Sequence, residues 1–456
     1  VAIRNMIYFA FAAYLVFMNN VSYLSFEDVF PIEFTDKKFL DITTFILKIF
    51  LIIWVAQYII EASGHGYFDF DIYDRKSEFG GVSQMNFPIK AVDFLVENDI
   101  KGNIFNEFNS GAYLVGRCFP DIKVYIDGRT ELYGPEFFKR YLKIVRDQDV
   151  TVLKEAIDTN QITIAFINTV RDEGPDKILK YFYEQKDWAL VYLGYDGVIF
   201  LKDIPQHAEV IERCRIDLHR WEVAGLDAYR LGPRKVVPFQ HVNRAYSLAA
   251  MGAEEAALGE CDEALKIFPG YPEAFALMGQ IYAERKDYEQ AFHYFRLAVM
   301  YNSSNRQLRF HLAKTYEKLG KHNYALEQLE KIMDRFPQHP AAYFMAAHVL
   351  IEDAKPDRAL GYAQQGFQLD KKAVKDIMEL GDLCAEKGYD DASLRMYAIA
   401  KDADMHRDQV HLKVGDVLQK MGRMEEATTE WTSALEFSGN EARDLISNRL
   451  AVFGVH

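Results

Sequence analysis

The stretch Pro272–Asn305, PEAFALMGQIYAERKDYEQAFHYFRLAVMYNSSN, decides the reading of half the chain, because its pattern returns every 34 residues. Ala257, Ala291, Ala325, Ala359, Ser393 and Ala427 share one phase of that period. Ala245, Gly279, Ala313, Ala347, Gly381 and Gly415 share a second, and Ala264, Ala298, Ile332, Gly366, Ala400 and Ala434 a third. Mostly small residues at three fixed phases predict two antiparallel helices per repeat, packed so closely that large side chains do not fit between them. Repeats beginning near Pro238, Pro272, Arg306, Pro340, Val374 and Asp408 predict an all-α solenoid of about six units over 238–456. The segment Glu441–Val452 is expected to cap its end, where a terminal repeat would otherwise expose an apolar face.

The 456 residues allow two or three domains, and half of them are hydrophobic, enough for real cores. A formal net charge of -14 with no basic stripe argues against a nucleic-acid partner. Cys118, Cys214, Cys261 and Cys384 form no CxxC pair, so no metal site is expected, and free buried thiols are favoured over disulfides. The chain starts at Val1 within an apolar run, which reads as a fragment or a processed product whose missing part could hold an active site.

Outward from the repeats, the first third divides differently. Residues 1–61 are expected to be a transmembrane region of about two spans. Met6–Met18, behind Arg4, is short for a crossing and reads as a truncated span, whereas Ile42–Ile60 holds about 19 residues with one charge, Lys48. A buried core helix is the alternative for the second run. Residues 62–85 read as a polar linker, with His65 a solvated side chain. Residues 86–204 alternate helix and strand and predict an α/β domain with mostly parallel order, closing in a hairpin at Tyr195-Asp196-Gly197. Strands are expected at 103–108, 123–127 and 162–167. With neither GxGxxG nor GxxxxGK[ST], nucleotide binding has no support and no cofactor is expected. Residues 205–237 read as a helical connector.

Within the α/β domain, Gly102–Gly134 (GNIFNEFNSGAYLVGRCFPDIKVYIDGRTELYG) concentrates polar side chains at predicted strand ends. Asn106, Asn109, Asp127, Arg129, Glu131 and Tyr133 could face one crevice there, as ligands do at the carboxyl ends of α/β strands. Amide, carboxylate, guanidinium and phenol together suit a hydroxyl-rich sugar. The competing reading is structural: Asn and Asp cap helices and shape turns, and an Asp127–Arg129 pair could simply brace its loop.

Two resemblances extend these readings. Asn106, Gly111-Ala112-Tyr113-Leu114, Pro120 and Lys123-Val124-Tyr125-Ile126-Asp127-Gly128-Arg129 followed by Tyr133 resemble the soluble C-terminal domain of bacterial polytopic membrane proteins of the dolichyl-phosphate-type (GT-C) glycosyltransferase class. The resemblance covers about residues 1–205. It implies the non-catalytic end of a larger membrane protein, with residues from 62 onward outside the cytoplasm and a glycan or lipid-linked sugar as a partner. No residue matches the early loop that carries that class's catalytic carboxylates, so no catalytic residue carries over.

The 34-residue repeats resemble the tetratricopeptide repeat (TPR), which implies a groove for a protein or peptide. In that family the fifth position of each repeat points to the concave surface, here Val242, Ala276, Phe310, Phe344, Met378 and Leu412. The ninth positions are Tyr246, Gln280, Lys314, His348, Asp382 and Asp416. The basic set that grips a terminal carboxylate in chaperone-binding members is absent. The alternative is that the solenoid buries the apolar stripe against its own helices. The whole is expected to be a mixed fold: transmembrane helices, an α/β domain and a TPR solenoid, anchored in a membrane and binding a protein partner.

Overall fold

The computed structural model describes residues 49–50, 53, 87–169, 176–223, 225, 227, 229–231, 235–401, 407–437 and 443. The spans expected in 1–61, the linker 62–85 with His65, and the cap at 441–452 lie outside these residues, apart from Ile49, Phe50, Ile53 and Arg443. Among the described residues no helix is long and apolar enough to cross a membrane.

The first described layer structure is a sheet with helices on both faces. Its elements are α1 (Ile89–Glu97), β1 (Gly102–Phe105), α2 (Phe108–Cys118), β2 (Ile122–Val124), α3 (Gly134–Val145), α4 (Val150–Thr159), β3 (Ile162–Ile167), α5 (Asp176–Glu184), β4 (Trp188–Leu193), β5 (Val198–Lys202) and α6 (Ala208–Cys214). Strand order is β2-β1-β3-β5-β4. On one face Ile104, Ile164, Phe166, Val191 and Ile199 pack with Val92 and Leu95 of α1, Leu114 of α2 and Ile211 of α6. On the other, Phe182 of α5 stacks on Phe200 at 5.6 Å and meets Trp188 edge-on at 4.8 Å. Period-2 alternation sends neighbouring residues to opposite faces, so β3, with ITIAFI buried almost throughout, is a central strand covered on both sides.

Three expectations for this domain need correction. The order is mixed rather than mostly parallel: β1 runs parallel to β2 and β3, but β5 is antiparallel to both β3 and β4. The tight Asp196–Gly197 turn can only join antiparallel strands, and the hairpin enters the sheet through its second strand. β1 and β2 are shorter than expected, and at their ends the Asn106 side chain joins the ladder: its Oδ1 shares the Tyr125 N–H with the Ile104 carbonyl, and its Nδ2 donates to the Ile126 carbonyl. The connector 205–237 is not one helix. It holds the seven-residue α6, a 3₁₀ turn at Leu218–Arg220 and two short strands, Tyr229–Leu231 and Lys235–Val237.

The hairpin turn also anchors α1. Asp196 is fully buried and its carboxylate accepts from the Lys90 and Ala91 N–H groups at 2.7 and 3.1 Å and from Tyr192 Oη at 3.0 Å. It supplies the acceptor that the N-terminus of α1 lacks locally, since Pro88 precedes it.

Among the described residues twelve further helices form pairs: α7 (Phe239–Ala250) with α8 (Glu254–Ile267), α9 (Pro272–Glu284) with α10 (Tyr288–Tyr301), α11 (Arg306–Lys318) with α12 (His322–Arg335), α13 (Pro340–Glu352) with α14 (Pro356–Leu369), α15 (Val374–Glu386) with α16 (Asp390–Lys401), and α17 (Arg407–Lys420) with α18 (Met424–Phe437). The second helices begin at 254, 288, 322, 356, 390 and 424, in step with the 34-residue period of the sequence. Ala257, Ala291, Ala325, Ala359, Ser393 and Ala427 are all fully buried, as close packing between helices requires. Ser393 is tied down: its Oγ donates to the Gly381 carbonyl at 2.8 Å. Cys261 and Cys384 are buried free thiols filling small interior positions.

Candidate functional site

The segment 102–134 folds into a closed hydrogen-bonded loop. Besides its bonds to the 125–126 backbone, the buried Asn106 amide donates to the Glu107 carbonyl at 2.9 Å. Asp127, 2% exposed, accepts from the Arg129 backbone N–H at 2.9 Å and from Arg129 Nε at 3.0 Å, and pairs with its terminal guanidinium nitrogen. The Asp127 N–H donates to Tyr133 Oη at 3.1 Å, and the Tyr133 ring stacks on Phe137. Hydrogen bonds from Arg129, which outweigh burial, hold the Asp127 carboxyl below its ordinary range. Asn109 and Glu131 stay exposed, on α2 and in the turn Thr130–Leu132. Asp127, Arg129 and Tyr133 come together beside the backbone that Asn106 holds, and Asn106 and Asp127 turn their polar atoms inward. Gly111 has the same logic: a β-carbon there would lie 2.1 Å from the Ile126 carbonyl oxygen, so only glycine lets α2 approach the loop this closely.

The solenoid offers a more open surface. A cleft of about 420 Å³ lies among the first helices of the third, fourth and fifth pairs, α11, α13 and α15. Its floor is apolar, with Phe310, Phe344, Met345, Leu380 and Leu383, and its wall carries Asp376, Glu379, Asp382 and Glu386 beside His348. Burial, the leading influence, pushes the His348 imidazole below its usual value, which favours the neutral ring near pH 7. Asp382 is half-buried and held in place, accepting from Lys413 Nζ at 2.7 Å and from Tyr397 Oη at 2.5 Å.

Of the groove candidates, Phe310, Phe344, His348 and Asp382 line this cleft. Val242, Ala276, Phe344 and Met378 are buried, Tyr246, Gln280, Phe310, His348 and Leu412 half-buried, and Lys314 exposed. At four of the six fifth positions the solenoid buries the apolar side chain, as the alternative reading has it, and Phe310 and Leu412 stay half-exposed. Phe344 shows why: its ring lies against Gly366 of α14, where an added β-carbon would meet it at 2.8 Å. Met345, Glu379, Leu383 and Glu386 escaped the sequence reading, although they flank the fifth and ninth positions at one-residue and one-turn offsets.

The α/β domain covers the corresponding face of the first pair. Phe239 and Asn243, one turn apart on α7, meet the hairpin: the Tyr195 ring stands edge-on to Phe239 at 5.5 Å, and Asn243 Nδ2 donates to the Tyr195 carbonyl at 2.9 Å. Ala341 and Met345 hold the same phases in α13 and line the open cleft. Behind this joint, His241, Arg244 and Glu260 form a buried polar cluster. Glu260 accepts from Arg244 at 3.1 and 3.2 Å and lies 2.6 Å from His241 Nδ1, while Arg244 also reaches Asp227 at 3.0 Å. The Asp227 N–H donates to His241 Nε2 at 2.9 Å, which leaves Nδ1 as the protonated nitrogen facing Glu260.

Residues 272–305 match the family model of the tetratricopeptide repeat. The second helix pair thus matches the TPR pattern, and the other five pairs share its 34-residue period. Anaphase-promoting complex subunit 3 of Schizosaccharomyces pombe is 26% identical over 147 residues, 31% of this chain and 22% of that protein, so the chain spans well under half of that relative's length. Among solved structures, Pseudomonas aeruginosa PilF is 14% identical with a TM-score of 0.33, covering 46% of this chain and 96% of that one. MamA from Desulfovibrio magneticus RS-1 is 19% identical with a TM-score of 0.33, covering 37% and 95%. YrrB, described as a TPR protein with an unusual peptide-binding site, is 17% identical with a TM-score of 0.31, covering 42% and 98%.

Proposed function

We propose that this chain is a protein-interaction module whose partner docks on the concave face of its third to fifth repeats. The observation that carries the reading is the open cleft between α11, α13 and α15, with an apolar floor on the same helix face that the α/β domain covers in the first repeat. A concave, mostly apolar surface with a few placed polar groups is the usual form of a peptide site. The likeness to a subunit of a multiprotein complex agrees with it.

The test compares partners retained by the full chain and by a Phe310→Glu/Met345→Glu double variant. Both side chains are half-buried at the cleft, so charging them blocks docking while leaving most of the core intact. Phe344→Glu is unsuitable, because that ring fills the interior against Gly366. Loss of specific partners with unchanged circular dichroism is expected, and retention of the same partners would remove the groove assignment.

The same proposal places the chain at a membrane, with its repeats outside the cytoplasm, as the C-terminal part of a glycosyltransferase-like protein. Its support is the apolar run 42–60 and the motif in 102–134. Release of the full chain from membranes by alkaline carbonate would remove the anchor. A sugar-handling role for the 102–134 segment would fall to Asn109, Glu131 and the solvent-facing side of Arg129, which is 59% exposed although paired with Asp127, since Asn106 and Asp127 are buried within the loop. Saturable glycan binding that Arg129→Ala abolishes would support it.

A further inference from the structure

We infer that the occupant of the cleft in repeats three to five is a cationic peptide segment bearing at least one large apolar side chain. The inference rests on the proposed docking face and adds the chemistry of what docks. The cleft is lined by four carboxylates and by no lysine or arginine. Asp382 is already matched by Lys413. Among the described residues no salt bridge reaches Asp376, Glu379 or Glu386, although most other carboxylates on the first helices of these repeats have cations at hand: Glu317 pairs with Lys318, and Glu352 with Lys387. Among the described residues three carboxylates without a salt bridge therefore stand around one apolar floor.

Their repulsion and their field both favour a positive guest. Like charges held near one another destabilise the empty site slightly, and a concave wall of low dielectric strengthens their field toward the opening. A lysine or arginine from a partner would relieve the repulsion while its aliphatic stem lies along Leu380 and Leu383. The floor formed by Phe310, Phe344 and Met345 supplies the apolar contact that gives affinity, and the carboxylates select the partner. An acidic tail, by contrast, would face the repulsion of these carboxylates, and the one imidazole in the lining is held toward its neutral form by burial.

The experiment is a random-peptide display selection against the full chain, with counter-selection on Phe310→Glu/Met345→Glu to retain cleft-dependent binders. These should be enriched in lysine or arginine beside an aromatic or aliphatic residue. Synthetic copies should bind at least about tenfold more weakly to a Glu379→Lys/Glu386→Lys variant and weaken as salt rises. Both substituted residues are exposed, so the variant should fold as the parent does. Cleft-dependent binders that are neutral or acidic, or that ignore the charge reversal, would overturn the cationic inference and leave the docking face standing. Absence of any cleft-dependent binder would overturn both.

Discussion

Gly381 of α15 lies directly under the ring of Tyr397 on α16, so that a β-carbon on the glycine would sit 2.5 Å from the nearest ring carbon. The relationship repeats at the same two phases. Gly279 faces Phe295, and Gly415 faces Trp431. Where the second residue is smaller, Cys261, Leu329 or Ala363, the first is alanine: Ala245, Ala313 and Ala347, all fully buried. Each helix pair thus divides one small volume between two positions. In a free helix Gly→Ala gains about 1 kcal/mol, yet Gly381→Ala should lose about 1–3 kcal/mol by overpacking. The double variant Gly381→Ala/Tyr397→Leu, which copies the third repeat, should recover part of that loss. Urea unfolding of the two singles and the double would show the coupling, and strict additivity would refute the shared volume.

Ala354 has φ +56° in the turn between α13 and α14, at the phase where Gly388 has φ +82° in the next repeat. A β-carbon makes this left-handed backbone costly by about 1–2 kcal/mol, a strain glycine does not feel. Ala354→Gly should therefore stabilise the solenoid by about 0.5–1 kcal/mol, after allowing for the greater freedom of glycine in the unfolded chain. Thermal unfolding would register this as a raised midpoint, and a lowered one would mean that the turn is unstrained.

Glu260 is fully buried between His241 and Arg244. Burial alone would raise its pKa, but the hydrogen bonds from His241 and Arg244 and their charges take it below its ordinary 4.5. A carboxyl depressed in the folded state contributes stability that is fully present above pH 4.5 and is lost as the pH falls through the folded value. Glu260→Gln should cost about 3 kcal/mol near neutrality by leaving Arg244 short of a partner. The gap between variant and parent should narrow below about pH 4.5. A gap constant from neutral to acid pH would contradict the assignment.

Gly111→Ala should disrupt the α/β domain more than Asp127→Asn does. The first change drives a β-carbon into the backbone carbonyl of Ile126, which cannot rotate away. The second keeps an acceptor for the Arg129 N–H and loses mainly an ion pair whose cation is 59% exposed, a contribution of about 1 kcal/mol or less. Hydrogen exchange of the β1 and β2 amides would separate the two, with lost protection expected only for Gly111→Ala.

The repeats were legible because a 34-residue period in small residues is a statement about helix spacing, and neighbouring repeats contact one another in register. The hairpin was legible for a similar reason, since Asp196-Gly197 is a local turn signal. Sheet order was not. Whether β5 or β4 lies beside β3 depends on which strand edges meet, a choice between segments far apart in sequence. The cleft was half legible: Phe310, Phe344 and His348 follow from repeat position, although Phe344 is drawn down against Gly366 in the neighbouring helix and only the edge of its ring reaches the floor, and Met345, Glu379, Leu383 and Glu386 do not.

By itself the sequence determined that twelve helices would stack in pairs, where each pair would turn, and that polar residues would gather at Gly102–Gly134. All of these depend on spacing along the chain, which governs contacts within a turn or between adjacent repeats. Only the tertiary structure decided that Asn106 and Asp127 close a loop, that the α/β hairpin occupies the face of the first repeat, and that the open groove begins with the third. Those outcomes depend on which surfaces exclude one another in space. A side chain's solvent exposure is a property of everything packed around it, and no local pattern encodes that.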